Sequence, residues 1–472
     1  MTISTRKLSN LEHFLRCRTA SGFYKSFQLS ATYSQELTVP ILYGGLRQTL
    51  LQYPNLICYI AKDEEAGDCY FKPLESATLN DLVEILPESD YLYKNRVSET
   101  FMKYANTTEF SIYLGKPLFK LFLIGKYNLS IVLEHTIADG LVGPFFHEVL
   151  LDNIITIIKN DSVDKSVDLN TELFNFEHDR LFMNSLPPPI DWFMAPYTEE
   201  YLSNVSQGTP ELMDVWPGRT ANDYNMPIAF KLINIPPKNL AMILDKCKQE
   251  KVTVTSYIEA IQILTLAPIF GEQHHTSNLV AMSLRRFIDH NQINEVDQEI
   301  YKCQFKAPNY KYMATAAHVG LSMKFPQITQ FSWDFVRCIN HQLKEQMKNN
   351  RLLNTLSSFF DEYDKLDDNV SFFSKNMKKP GKVDSTKLSN LGLFKFPNYA
   401  SWTIEDMVFS QDVMPFSADF MLNIISTPTR GMNLVWSYFE DDSGQLNKPD
   451  SIDTYVQIFE ENIMKYTTPT SL

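Results

Sequence analysis

Ile131-Val132-Leu133-Glu134-His135-Thr136-Ile137-Ala138-Asp139-Gly140-Leu141-Val142-Gly143 places an apolar run, a polar turn and a second apolar run in immediate succession. Upstream, Leu118 to Ile124 and Leu129 to Leu133 are apolar runs separated by Gly125-Lys126-Tyr127-Asn128, a hairpin spacing. Downstream, Gly143 to Asn153 carries Phe145, Phe146, Val149 and Leu150 at helical intervals. The stretch therefore predicts strand, turn and helix, with His135 at the end of the strand and an H-x-x-x-D-G pattern filling the turn. A bare H-x-x-x-D arises by chance in roughly half of chains this long, but the glycine and the strand-to-helix setting make this one informative.

The same alternation of strands and helices extends in both directions. Ser9 and Glu12 form a capping box before a short helix with Leu8, Leu11, Phe14 and Leu15 on one side, suited to docking on the core or, less well given its length, to a membrane surface. Phe23 to Tyr33 alternates apolar and polar residues as a strand does. Thr38 and Pro40 open a helix through Leu42, Leu46, Leu50 and Leu51 that stops at Pro54, and Asn55 to Ile60 reads as the next strand. Leu186-Pro187-Pro188-Pro189 starts a stretch that suits neither helix nor sheet interior, so the expected organisation is a first half over 1–185, a crossover over 186–224 and a second half over 225–472. That second half reads as a strand at Ile228 to Ile235, a helix from Pro236-Pro237 to Lys251, a Thr255-capped helix, a strand at Leu279 to Leu284 and a helix at Phe331 to Met347. A basic excursion over Lys375 to Lys387, strands near Val408, Phe420 to Ser426 and Leu434 to Tyr438, and a helix over Ser451 to Tyr466 follow.

The 472 residues exceed one ordinary core, and 44% hydrophobic with 21% charged residues describes a packed globular α/β chain. A net charge of −13 repels phosphate backbones, so nucleic-acid binding is not expected. Six scattered cysteines without a C-x-x-C pair point to reduced thiols and no zinc site, and His274-His275 lacks supporting ligands, so no metal is expected. The first residues lack an apolar signal region and no apolar run of spanning length occurs, so no transmembrane span is expected.

A lone histidine is usually structural. At a strand end before a helix, however, a neutral imidazole can take a proton from an attacking hydroxyl or amine, which makes His135 the candidate general base. Asp139 is better placed to brace the loop against a buried cation, with Gly140 relieving backbone crowding. Arg285 and Arg286 at the end of a strand are equal candidates for that cation. His147 and His318 read as packing residues, although the run Ala314-Thr315-Ala316-Ala317 before His318 could let a ligand approach closely. There is no G-x-S-x-G elbow, and no Cys/His pair can be placed by spacing, so no acyl-enzyme nucleophile is visible.

Beyond His135 to Gly140, the chain carries Leu50-Leu51-Gln52-Tyr53-Pro54-Asn55-Leu56, Arg285-Arg286-Phe287, Leu388-Ser389-Asn390-Leu391-Gly392 and Glu405-Asp406-Met407-Val408-Phe409-Ser410-Gln411. Asn423-Ile424-Ile425-Ser426-Thr427 and Gly431-Met432-Asn433 complete the set. With these motifs in this order the sequence resembles the fungal alcohol acetyltransferase family, within the CoA-dependent acyltransferase superfamily of chloramphenicol acetyltransferase, plant BAHD enzymes and condensation domains. The resemblance implies two chloramphenicol-acetyltransferase-like α/β domains with mixed sheets flanked by helices, meeting at a central tunnel. It further implies acetyl-CoA as co-substrate, His135 midway along the tunnel, and Ser389 and Asn390 as support for the tetrahedral intermediate. The plant D-F-G-W-G is absent; Ser417-Ala418-Asp419-Phe420 is a partial echo. A CoA phosphate would need cations, for which Lys378, Lys379 and Lys382, with Lys375, are the candidates.

The expected activity is acetyl transfer to the hydroxyl of a hydrophobic alcohol. N-acetylation of long-chain amino alcohols such as sphingoid bases or their mimics is the alternative, and a non-catalytic binding protein or a thioesterase stands further off. The expected setting is a cytoplasmic monomer, peripheral at most to endoplasmic reticulum or lipid droplets.

Overall fold

The computed structural model describes residues 5–194, 215–216, 218, 227–270, 275–289, 291, 294–302, 315–348, 351–366, 373–375, 381–397, 399, 402–440 and 452–467. The first helix, α1 (Asn10–Ala20), has the expected capping box: Ser9 Oγ accepts from the Glu12 amide and the Glu12 carboxylate accepts from the Ser9 amide. Leu11 and Leu15 bury against Ile190, Phe193 and Leu352, so its apolar side is occupied inside the protein.

Strand β1 (Phe27–Tyr33) starts later than its alternation suggests, and all seven of its residues are buried. Phe27, Leu29, Ala31 and Tyr33 join the apolar core. On the other face the polar residues satisfy one another: Gln28 Nε2 donates to Ser410 Oγ at 2.9 Å, and Ser30 and Ser130 hydroxyls donate to Gln28 Oε1 at 2.7 and 2.9 Å. The alternation thus marks a strand at the middle of a sheet whose polar face is enclosed, rather than one facing water. Helix α2 (Val39–Gln52) runs as expected, but Pro54–Ile57 is a 3-10 turn and the following strand covers Cys58–Lys62, since proline at the first position sets helical φ.

Strands β2 (Val83–Leu86), β3 (Phe119–Ile124) and β4 (Asn128–Leu133) follow, β3 and β4 forming the expected hairpin, and helix α3 spans Val142–Lys159. The second half contributes β5 (Ile228–Ile235), α4 (Pro237–Gln249), α5 (Val254–Phe270), β6 (Thr276–Ser283), β7 (His318–Phe325), α6 (Trp333–Gln346), β8 (Thr386–Leu393), β9 (Ile404–Gln411), β10 (Phe420–Thr427), β11 (Gly431–Phe439) and α7 (Ile452–Lys465). The cap of α5 is Thr253, whose hydroxyl accepts from the Ser256 amide, and not Thr255, which faces a cavity.

Of the five sheets among the described residues, the two largest have the orders β9-β1-β4-β3-β2 and β5-β11-β10-β8-β6-β7. Both are mixed: β2 is parallel to β3, and β6, β8 and β10 run parallel, while the remaining pairs are antiparallel. Strand β9 lies between β8 and β10 in sequence yet pairs with β1, so the second half of the chain donates an edge strand to the first sheet. Most of the 186–224 crossover lies outside the described residues. No single described helix is long and apolar enough to cross a membrane; α4 and α5 pass that test only as a pair bent by 102°. Residues Tyr257, Ile258 and Ile261 of α5 are buried in the second core.

At Gly143 helix α3 meets β1 so closely that a Cβ there would lie 2.4 Å from Leu29 Cγ. Leu29 is wholly buried and has nowhere to move. Gly143→Ala is therefore expected to cost about 1–3 kcal/mol, read as a lowered midpoint of urea denaturation; an unchanged midpoint would mean that the contact relaxes freely.

Candidate active site

His135 is two residues past the end of β4. The hairpin carries on by one bond, from the Glu134 amide to the Leu118 carbonyl, before the chain turns. Glu134 then points inward, accepting from the Thr136 amide at 2.7 Å and from Thr19 Oγ1 at 2.6 Å, while Asn55 Nδ2 donates to the Ile137 carbonyl at 2.8 Å. These bonds fix the loop so that the His135 ring lies among Phe27, Tyr24 and His318, at centroid distances of 5.0, 5.7 and 4.7 Å. Burial, followed by the nearby His318 and Arg18, holds the His135 pKa well below 6.5, so the ring is neutral near pH 7. Burial also pulls His318 down to about 4.

Asp139 joins the loop to the second sheet. Its Oδ2 accepts from Arg285 Nη2 at 3.0 Å and from the Ala317 amide at 2.9 Å, and Oδ1 accepts from the Leu141 amide at 3.1 Å. The two arginines are thereby separated. A 3-10 turn over Arg285–Phe287 sends Arg285 inward to the carboxylate and leaves Arg286 exposed at the cavity, its Nη1 donating to Met347 Sδ at 3.3 Å. Gly140 does not have positive φ; its role is close approach, because a Cβ there would lie 2.9 Å from Leu391 Cδ2.

His135, His318, Thr255 and Ser389 line a cavity of about 380 Å³ between the two sheets, within the range of small-molecule sites. Phe27, Leu279, Met282, Leu391 and Phe409 supply apolar wall. Ser389 and Asn390 of β8 both reach it; Asn390 Nδ2 donates to Thr255 Oγ1 at 3.1 Å and its Oδ1 accepts from the Gly392 amide at 2.9 Å. Of the two, Ser389 brings the hydroxyl.

Lys378 and Lys379 lie outside the described residues. Lys382 turns away from the cavity: its Nζ donates to the Pro415 carbonyl and sits 4.8 Å from the Phe439 ring centroid. The lysine on the cavity wall is Lys387, whose pKa burial lowers to about 8, with Asp384 opposing that fall. Arg18, Tyr24, Lys387 and His318, with Thr255, Gln411 and Asp412, are among the cavity residues that sequence pattern did not bring to the site. Of these, His318 had a signal, the small residues before it. His147, by contrast, is a packing residue, bonded to Tyr33 Oη at 2.9 Å and the Leu29 carbonyl at 3.2 Å.

The family model described as alcohol acetyltransferase matches residues 7–463. An uncharacterized protein of Schizosaccharomyces pombe is 22% identical over 464 residues, 92% of each chain. Among solved structures, trichothecene 15-O-acetyltransferase from Fusarium sporotrichioides superposes with a TM-score of 0.67 at 11% identity, covering 98% of this chain and 95% of that one. The starter condensation domain of rhizomide synthetase, solved with C8-CoA and Leu-SNAC, gives 0.60 at 10% identity, covering 99% and 96%. At these identities the likeness is one of fold.

Proposed function

Because the chain belongs to the alcohol acetyltransferase family and is an acyltransferase, we propose that it moves acetyl from acetyl-CoA to the hydroxyl of a hydrophobic acceptor by direct attack, with His135 as general base. The observation that carries this reading is a neutral imidazole and a serine hydroxyl lining one cavity between the two sheets.

His135 takes the proton from the acceptor hydroxyl as its oxygen adds to the thioester carbonyl. Ser389 donates to the carbonyl oxygen as that atom gains charge. His135 then returns the proton to the departing sulfur, so the ring ends the cycle neutral. Asp139 is a positioning residue that works through the loop.

The test is thiol release from acetyl-CoA with hydrophobic alcohols, long-chain amino alcohols and no acceptor, with products identified by mass spectrometry. Acceptor-dependent release of an ester supports the proposal. An amide product would move it to the amine, and equal release without acceptor would replace transfer by hydrolysis.

The pH profile carries a separate expectation. Only the neutral ring serves as base, and its pKa lies below 6.5. On lowering the pH, kcat/KM should therefore stay level through 6.5 and fall only further into acid. A limb at or above 6.5 would assign the base to another group.

A further inference from the structure

Arg18, in the last turn of α1, is 7% exposed and lines the same cavity as His135. Its guanidinium carbon lies 3.9 Å from the centroid of the Tyr24 ring, the ring that also borders His135 at 5.7 Å. Among the described residues, neither Nε nor Nη2 of Arg18, both buried, has a hydrogen-bond partner. Arg6 and Arg285, buried to a similar degree, each have a carboxylate oxygen, at 2.8 and 3.0 Å. The carboxylates near Arg18 are directed elsewhere. Glu134 serves Thr19 and the Thr136 amide, and Asp412 accepts from the Lys25 amide at 2.6 Å and the Val413 amide at 2.8 Å. Burial raises both carboxyls, Asp412 to about 6, which weakens their compensation of the cation. Tyr24, Tyr363, His135, His318 and Lys387 are the other titratable groups within electrostatic reach of it. A buried guanidinium without a bonded anion is costly to the folded protein. A ligand that brings an anion would offset that cost on binding.

We propose that Arg18 is an anion subsite for the acceptor, and that the acceptor is a hydrophobic hydroxy acid whose carboxylate bonds Arg18 while its hydroxyl meets His135. This deepens the reading under Proposed function and rests on it. The Tyr24 centroid lies 3.9 Å from the guanidinium carbon and 5.7 Å from the His135 ring centroid, so the two groups are within about 10 Å of each other, a gap that a short hydroxy acid such as a 2- or 3-hydroxy acid can bridge with its two hydrogen bonds. The phosphates of CoA are the other anions available. The acetyl-CoA KM of an Arg18 variant separates the two.

The test compares 2- and 3-hydroxydodecanoic acid with their methyl esters as acceptors for the full chain and for Arg18→Gln and Arg18→Lys. Binding of acid and ester to the CoA-loaded protein is followed by calorimetry. The parent protein should prefer acid over ester by at least about tenfold in kcat/KM, the scale of a charge-assisted hydrogen bond. In Arg18→Gln that ratio should fall to near one through the acceptor KM, and Arg18→Lys should regain part of it. Equal use of acid and ester by the parent protein overturns the proposal whether or not the variants fold. A rise in the acetyl-CoA KM in Arg18→Gln, in place of the lost ratio, also overturns it and assigns the anion to CoA. If no acceptor is acetylated yet acid binds more tightly than ester, the subsite stands and the transferase reading falls.

Discussion

Replacing His135 by alanine is expected to lower kcat by on the order of 10³-fold, within the range that a positioned general base contributes, while the protein stays folded. The loop around His135 is held by Glu134, Asn55 and Asp139, none of which bonds the imidazole. Removing the ring therefore takes away the proton acceptor and leaves its support in place. Ser389 can polarise the thioester but cannot take the proton. The neighbour that could is His318, 4.7 Å away between ring centroids. Burial lowers the pKa of both rings, and with His135 as the assigned base His318→Ala alone should cost far less than His135→Ala. Single-turnover acetyl transfer under saturating acetyl-CoA separates this loss from one of binding. Activity of His135→Ala within tenfold of the parent, abolished by adding His318→Ala, would transfer the base to His318.

The difference between the two histidines shows what local pattern reveals. His135 was legible because its strand, turn and helix are contiguous and each has its own signature: the β3–β4 hairpin, the H-x-x-x-D-G turn and the periodicity of α3. His318 enters the site from the start of β7, and only pairing with β6 brings it there. Arg18 looks like an ordinary basic residue near a helix C-terminus, where it would favour the dipole from solvent; it lines a cavity because α1 docks between the halves. Lys387 closed a stretch that read as a solvated basic loop, yet it lies on β8, in parallel register with Leu279 and Met421. Strand β9 was recognisable as a strand, but its pairing with β1 across nearly the whole chain leaves no local trace. The choice between Arg285 and Arg286 was likewise closed to sequence, since a 3-10 turn and not a continuing strand decides which side chain points inward.

Asp139→Ala is expected to cost about 3–5 kcal/mol of stability, the scale for breaking a buried ion pair from one side, together with most of the activity. Loss of the carboxylate strips Arg285 of its anion and leaves the Ala317 amide without its acceptor, at positions only a few per cent exposed. Arg285→Met should cost less, because Asp139 still accepts from the Leu141 and Ala317 amides. In the double variant Asp139→Leu, Arg285→Met the stranded guanidinium is gone, so denaturation should recover a good part of the Asp139→Ala loss. Activity should not recover with it, since the Asp139 carboxylate is what ties the His135 loop to the second sheet. That split between restored stability and absent turnover is what a positioning role requires. A double variant as active as Arg285→Met alone would show that the pair serves the fold and not the placement of His135. A stable but inactive Asp139→Ala would instead give the carboxylate a part in the chemistry.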